Sequence, residues 1–304
     1  MRLRILPLLL VASLLCVALS GLARASDADS AQKHFLWKVT GAKGAGTVYL
    51  FGTIHIGKPD FYPLPAIIED SFKRAETLVE EIKPDPSDAT LMKRWVAEHG
   101  LYPGSDTIGN HLSEETIRHL AIYLKEKSWQ EQQIVAKMRP SAIASMISDE
   151  DQKRLGFDRE NGLDKHFLGE AQDSHKPVEA LETFASHLQL FSDMAANVED
   201  NYLLHTLAES QKPTSHLEML IDAWRTGDSE KMQDLLTQTV NDYPQIKPTM
   251  KKVLDDRNDA MTKKIEQFLS TNKTYFVAVG AAHMIGEHGI VNQLRTKEFK
   301  VEQL

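Results

Sequence analysis

Two histidines stand in the same sequence context, each at the end of an apolar run that closes in Gly-x-x-His. The segments 48–55 and 275–283 are rich in β-branched and aromatic residues, and they end in His55 and His283. A run of this kind predicts a strand buried on both faces, and its glycine permits a sharp turn. If both strands belong to one sheet, both imidazoles lie at one edge of it. From spacing alone, two unrelated core or loop histidines remain the alternative.

Two imidazoles at one sheet edge suggest a metal site, because neutral histidine is a ligand for zinc, manganese, cobalt and iron. Two histidines alone hold a divalent ion poorly, so a carboxylate should lie nearby. Glu80 and Glu81 lie near the end of a predicted strand, 77–82, and reach the equivalent position. Adjacent strand residues point to opposite faces, so only one of the two can join the site. The pattern does not choose between them, and a solvated strand end is the alternative.

Three further polar residues stand where they can reach this edge. Glu182 closes a predicted fourth strand, 177–182, and Arg257 with Asn258 lies in the helix leading to the second histidine strand. Taken singly, a helix cap or surface salt bridge explains Glu182, and a solvated charge explains Arg257. The sequence contains no H-E-x-x-H, G-x-S-x-G, P-loop or G-x-G-x-x-G motif. The usual signatures of zinc proteases, serine hydrolases and nucleotide-binding proteins are therefore missing.

The elements that position these residues alternate between short strands and long helical stretches. The first two strands predict an antiparallel hairpin, and helices fill two insertions, about 87–171 and 184–268. A last helix is expected over 286–296, and Asp164 is expected to cap a helix that runs to residue 171. The pattern predicts an α/β (α+β) fold in one domain, 26–304. Its mixed central sheet has about six short strands, with large helical insertions between them.

The N-terminus has the composition of a secretory signal peptide. A basic start at Arg2 and Arg4 precedes an almost wholly apolar run, 5–22, and then the small-x-small site Ala23-Arg24-Ala25. We therefore expect cleavage after Ala25 and export to the periplasm or the medium, with no membrane anchor left. A retained anchor is the alternative, because the run approaches membrane-spanning length.

Cleavage there would leave an acidic chain without cysteine. It removes three of the 35 basic residues and the one cysteine, Cys16, so that 32 basic residues stand against 43 acidic ones, a net charge of −11. This charge argues against a nucleic-acid partner. Without thiolates, any metal site has to use histidine, carboxylates and water, which favours the harder divalent ions.

Several short motifs, in this order, resemble the TraB/GumN family, whose animal members are the Tiki proteins. The motifs cover most of the chain after the signal peptide and are Leu36-Trp37-Lys38-Val39, segment 48–55, Pro63-Leu64-Pro65, Leu78-Val79-Glu80-Glu81-Ile82, Gly162-Leu163-Asp164, Lys176-Pro177-Val178, Leu181-Glu182-Thr183, Gln189, Arg257-Asn258 and segment 279–286. The resemblance implies a core shared with erythromycin-esterase-like and ChaN-like proteins. It aligns Glu81, rather than Glu80, with the essential glutamate of the family.

The resemblance also implies a function. The Tiki proteins are regarded as metal-dependent proteases that prefer manganese or cobalt, and zinc is an alternative ion. By this analogy His55, Glu81 and His283 would bind one divalent ion. Glu182 would be the general base, and Arg257, oriented by Asn258, would bind a substrate carboxylate or the developing oxyanion.

The main hypothesis is therefore an exported metal-dependent hydrolase, in the first place a peptidase, acting on a peptide or small-molecule substrate. One alternative is a protein that sequesters a peptide or another ligand without turnover. A second alternative is a metal-free, esterase-like hydrolase that uses one histidine as base.

Overall fold

The computed structural model describes residues 32–41, 46–126, 135–192, 196–212 and 215–304. The predicted signal peptide, 1–25, lies outside the described residues. Within the described part, no helix is both long enough and apolar enough to cross a membrane.

A six-stranded mixed sheet forms the centre of the fold, as the sequence pattern predicts. Its strands are β1 (Leu36–Thr40), β2 (Thr47–Thr53), β3 (Thr77–Ile82), β4 (Val178–Glu182), β5 (Thr274–Gly280) and β6 (Lys300–Gln303). They lie in the order β4-β3-β5-β2-β1-β6. β1 and β2 form the expected antiparallel hairpin, whereas β4, β3, β5 and β2 run parallel to one another.

The four parallel strands bring the candidate residues to one edge. β2 and β5 are direct neighbours, so the two Gly-x-x-His segments leave the sheet side by side. The carboxyl ends of β3 and β4 continue the same edge, because parallel strands end on the same side of a sheet. His55, Glu81, Glu182 and His283 therefore all lie at or just beyond the carboxyl edge.

Helices cover both faces of this sheet and extend beyond it. They are α1 (Ala66–Arg74), α2 (Asp88–His99), α3 (Glu114–Glu126), α4 (Pro140–Arg154), α5 (Leu163–Asp173), α6 (Phe184–Ser192), α7 (Ala196–Ser210), α8 (His216–Arg225), α9 (Ser229–Asp242), α10 (Lys247–Met250), α11 (Asp256–Leu269) and α12 (Ile290–Thr296). α1 and α5 pack on one face of the sheet and α11 on the other. The core is therefore a three-layer α/β/α arrangement.

Four buried phenylalanines fix α1 and α5 on their face. Phe51 and Phe276 project from β2 and β5, and they meet Phe72 of α1 and Phe167 of α5. Ring centroids of contacting pairs lie 4.8 to 5.6 Å apart. Aromatic side chains bury a large apolar area and prefer such tilted contacts. The cluster therefore holds the start of α5, which carries Asp164, against the carboxyl edge.

Three helices, α3, α4 and α7, pack around a second hydrophobic core and are here called the helical module. The buried residues of this core are Tyr102, Ile108, Leu120, Tyr123, Val135, Ile143, Ala144, Ile147, Leu203 and Leu207. An ion pair between Arg139 and Glu199, 2.7 Å apart, joins the start of α4 to α7. The main core, around the sheet, is a separate cluster of buried residues.

Two local expectations are corrected by the structure. The helix expected over 286–296 begins at Ile290, because Gly286 adopts a φ of 84° and starts a turn that Gly289 closes. Asp164 does not cap α5. Gly162 is the residue at the cap position, and the Asp164 carboxylate turns towards the sheet edge.

Candidate active site at the carboxyl edge

His55 is held by the carboxylate of Asp164. Nδ1 of His55 lies 2.8 Å from Oδ2 of Asp164, and the Thr53 hydroxyl donates to Oδ1 at 2.6 Å. The backbone N–H of Leu163 donates to the carbonyl of Ile54 at 3.0 Å, so the start of α5 is bonded to the histidine loop. A carboxylate on Nδ1 fixes the proton there and leaves Nε2 free.

The same pair sets the charge of His55. The Asp164 carboxylate raises the pKa of His55 to about 9, although burial of the ring acts to lower it. The His55 side chain is 63% exposed. Without a bound cation, His55 is therefore an imidazolium at neutral pH that faces solvent.

Replacing Asp164 with asparagine should return the pKa of His55 towards its ordinary value. The amide keeps the size of the side chain but removes the charge that raises the pKa. Residues that orient a metal-binding or catalytic histidine contribute roughly 10- to 100-fold to metal affinity or activity. We therefore expect Asp164→Asn to lower metal affinity or activity by this factor. NMR titration of the ring measures the pKa, and Asp149→Asn, at an exposed ion pair with Arg159, is the control. An unchanged titration curve would contradict the role given to Asp164.

His283 is buried, and both of its ring nitrogens are hydrogen-bonded. Nδ1 lies 2.6 Å from Oδ1 of Asn258, an oxygen that only accepts, so Nδ1 carries the proton. Nε2 then accepts from Nη1 of Arg257 at 2.9 Å. Burial lowers the pKa of His283 to about 4, and the charge of Arg257 acts in the same direction. His283 is therefore a neutral imidazole.

Glu81 lies between the two histidines. Its Oε1 accepts from the backbone N–H of Gly280 at 2.6 Å and lies 3.9 Å from Nε2 of His283. Its Oε2 accepts from Nη2 of Arg257 at 2.7 Å. Burial acts to raise the pKa of Glu81, but the neighbouring histidines, the guanidinium and the N–H outweigh it and hold the pKa at about 2. Glu81 is therefore ionised.

Glu80 faces the opposite side of the sheet, since strand residues alternate between faces. It is 4% exposed, and its Oε1 has no hydrogen-bond partner within the described residues. Burial raises the pKa of Glu80 well above its ordinary value, and the charge of Asp164 adds to this. The register of β3 thus directs Glu81, the residue that the family resemblance aligns, towards Arg257 and His283.

Arg257 links the carboxylate of Glu182 to Glu81 and His283. Its Nε donates to both oxygens of Glu182 at 3.0 Å, and its side chain is 7% exposed. Glu81, Glu182, Arg257 and His283 are here called the edge cluster. The predicted base Glu182 and the predicted substrate-binding Arg257 are thus bonded to each other in this structure.

A π-helical turn precedes Arg257. The turn spans Lys251–Asp255, between α10 and α11, and the carbonyl of Val253 accepts from Nη1 of Arg257 at 3.0 Å. Such turns are rare in proteins, and those that occur often lie at functional sites. Arg257 and Asn258 follow it after Asp256, and both side chains are buried.

Gly280 leaves a space open between Glu81 and His55. A Cβ at this position would lie 3.1 Å from Oε1 of Glu81 and 3.3 Å from Nε2 of His55. One small volume is therefore flanked by a carboxylate oxygen and by the free nitrogen of an imidazole.

Gly280→Ala should fill this space and leave the strand intact. The backbone there, with φ −47° and ψ 134°, is open to alanine, so only a small change in Tm is expected. Activity should fall at least tenfold, because the methyl group would lie between the two functional atoms. Gly169→Ala is the matched control, since a Cβ there meets nothing within 4 Å. A Gly280→Ala protein with normal activity would show that the reaction does not use this space.

Sequence reasoning missed two residues at the edge. Asp164 is predicted as a helix cap and belongs to a motif of the family resemblance, without a role at the site, and His187 is not a candidate. His187 lies in the first turn of α6, which begins two residues after Glu182. Burial lowers the pKa of His187, and the charges of the edge cluster and of His55 also act on it. Both residues lie in the first turn of a helix near the carboxyl ends of the parallel strands. Because such turns line the ligand sites of parallel sheets, this position could have identified both residues.

The ligand atoms at the edge are of the types that a divalent ion binds. They are two imidazole nitrogens, of His55 and His283, and a carboxylate oxygen of Glu81, a set that suits manganese, cobalt or zinc. In this arrangement, however, Arg257 engages Nε2 of His283. Among the residues that the structure describes, no group of three or more His, Cys, Asp or Glu side chains is placed to hold an ion. The residue types are those of a metal site, but in this structure Nε2 of His283 is bonded to Arg257.

Comparison with known proteins gives a family for this fold and site. The model of the TraB/PrgY/gumN family matches residues 35–303. "Uncharacterized protein YbaP" of Escherichia coli (strain K12) is 24% identical over 268 residues, which cover 86% of this chain and 94% of that protein. "Metalloprotease TIKI homolog" of Amphimedon queenslandica is 21% identical over 332 residues, 91% of this chain and 62% of that protein. No solved structure matches, so the erythromycin-esterase-like core stays a prediction.

Proposed function

The chain belongs to the TraB/PrgY/gumN family, and from this membership and the geometry of its sheet edge we propose that it is a metal-dependent hydrolase. The observation that carries the proposal is the position of Glu81. Its Oε1 lies 3.9 Å from Nε2 of His283 and borders, across Gly280, the same space as Nε2 of His55. In the proposal these three side chains hold one divalent ion, manganese or cobalt in the first place and zinc as an alternative.

A divalent ion there would polarise the scissile carbonyl and lower the pKa of a water molecule. The residues of the chain have separate tasks around it. Asp164 holds the Nδ1 proton of His55, so that Nε2 faces the open space. Asn258 does the same for His283. Glu182 would be the general base, with its carboxylate held by Arg257.

The proposed substrate is a peptide. The support is the name of the Amphimedon queenslandica relative, "Metalloprotease TIKI homolog", and the exposure of His55 at the edge. With the low identity to that relative, the substrate class rests on analogy.

Cleavage of a peptide library, followed by mass spectrometry, tests the proposal. The protein is first stripped with EDTA and then assayed with and without added Mn²⁺, Co²⁺ or Zn²⁺. Cleavage that depends on one of these ions is expected. A protein that is stabilised by peptide but cleaves nothing under any condition would be a sequestering protein, and the enzymatic proposal would fail.

A metal-free hydrolase is the second candidate, and the His55–Asp164 pair favours it. A carboxylate on Nδ1 and an exposed Nε2 are the arrangement of a general base. His55 would take a proton from water while the hydroxide attacks the carbonyl carbon, and it would return the proton to the leaving group. Since the pKa of His55 is raised to about 9, this reaction would accelerate as the pH rises towards 9, and EDTA would not inhibit it.

We also propose that the protein is exported. The support is the basic start, the apolar run and the Ala23-Arg24-Ala25 site. N-terminal sequencing of protein from the periplasm or the medium should find Ser26 as the first residue. Recovery of chains that keep Met1 in the membrane fraction would contradict this.

A further inference from the structure

The guanidinium of Arg257 is held by four of its residue neighbours. It has five N–H donors, and the Nε–H is shared between the two oxygens of Glu182. Nη1 donates to Nε2 of His283 and to the carbonyl of Val253. Nη2 donates to Oε2 of Glu81 and lies 2.9 Å from Oε2 of Glu182. Four of the five donors therefore have acceptors, and the second Nη2–H lies beside the carboxylate of Glu182.

Two of the residues bonded to Arg257 are proposed metal ligands. His283 has one nitrogen with a lone pair for an ion, Nε2, because Nδ1 is protonated and bonded to Asn258. That lone pair already accepts the Nη1–H of Arg257 at 2.9 Å. An ion and the guanidinium cannot share it. Glu81 is less restricted, since its Oε1 faces away from Arg257 and towards Gly280.

Charge adds to this competition. Arg257 places one buried positive charge between the carboxylates of Glu81 and Glu182, at 2.7 and 2.9 Å. A divalent cation next to Glu81 would meet this charge at short range in a poorly solvated place, where like charges repel strongly. Without Arg257, the same two carboxylates would attract the ion.

We propose that Arg257 is a resident cation that occupies the metal-binding position of His283 and has to withdraw before a divalent ion can bind all three ligands. This inference rests on the proposed metal site. It assigns Arg257 a positioning role in place of a substrate-binding one. The edge cluster would then be in a guanidinium-bound state when metal is scarce and in an ion-bound state when metal is supplied.

Mn²⁺ affinity, measured by calorimetry on EDTA-treated protein, tests the proposal without an activity assay. The main variant is Arg257→Gln with Glu182→Gln, which removes the guanidinium and one carboxylate and so keeps the net charge of the cluster. It should bind Mn²⁺ at least tenfold more tightly than the parent. The matched control is Arg139→Gln with Glu199→Gln, at the buried pair of the helical module, and its affinity should equal that of the parent.

Arg257→Lys supplies a second variant that keeps the charge, and a cooperative melt shows that each protein is folded. A single ammonium cannot hold His283 and both carboxylates at once, so this variant should also bind Mn²⁺ more tightly than the parent. If the parent binds Mn²⁺ and these variants bind equally or more weakly, the role of Arg257 is refuted and the metal site stands. If the parent and the variants all fail to bind Mn²⁺, Co²⁺ and Zn²⁺, the metal site and the role of Arg257 fail together.

Discussion

Glu81→Gln should lower kcat/KM for the most rapidly cleaved peptide by about 100-fold or more. The substitution removes the charged oxygen between the two histidines, and residues that act as a unit around one ion or one reacting water lose most of their effect together. Arg257 keeps its bonds to Glu182, so the fold should persist. Steady-state kinetics and metal content, measured on the same preparation, report the loss.

Glu80→Gln is the matched control, because it makes the same chemical change one residue away on the opposite face of β3. Burial disfavours the charged form of Glu80, so the amide should be tolerated, with activity within about twofold and a Tm no lower than that of the parent. A larger loss of activity in Glu80→Gln than in Glu81→Gln would refute the assignment of Glu81 to the site.

Arg257→Ala should destabilise the folded protein by roughly 3–5 kcal/mol, the usual consequence of removing one partner from a buried ion pair. Glu81 and Glu182 would be left as neighbouring buried carboxylates, and His283 would lose the donor on Nε2. Urea denaturation monitored by circular dichroism measures the free energy of unfolding.

Arg159→Ala is the control for this measurement. Its side chain is 73% exposed in an ion pair with Asp149, and such surface pairs contribute roughly 0–1 kcal/mol. If Arg257→Ala were as stable as Arg159→Ala, the hydrogen bonds of Arg257 would contribute no net stability, and its retention would need a purely functional explanation.

The strands and the carboxyl edge could be predicted from the sequence, because they depend on local patterns. Apolar, β-branched runs predicted the central strands β2, β3 and β5, and the glycine in each Gly-x-x-His motif indicated where the chain leaves the sheet. The equivalent placement of His55 and His283 follows from the parallel pairing of β2 with β5. The choice of Glu81 over Glu80 could not come from the pattern, since both neighbours, Leu78 and Val79, are apolar.

The partners of these side chains could not be predicted, because they depend on tertiary packing. Asp164 looks like a helix cap in the sequence, and only the docking of α5 on the phenylalanine cluster turns its carboxylate to His55. Arg257 looks like a surface charge until the π-helical turn directs it inwards. His187 has no motif of its own, and only the path of the chain from β4 into α6 brings it near the edge cluster.

The weak packing of α2 bears on how the carboxyl edge can open. α2 and α6 leave the carboxyl ends of β3 and β4 and pack against each other, yet α2 buries none of its residues fully. Segments with few buried contacts unfold locally at a small fraction of the global free energy. α2 is therefore expected to open before the sheet does.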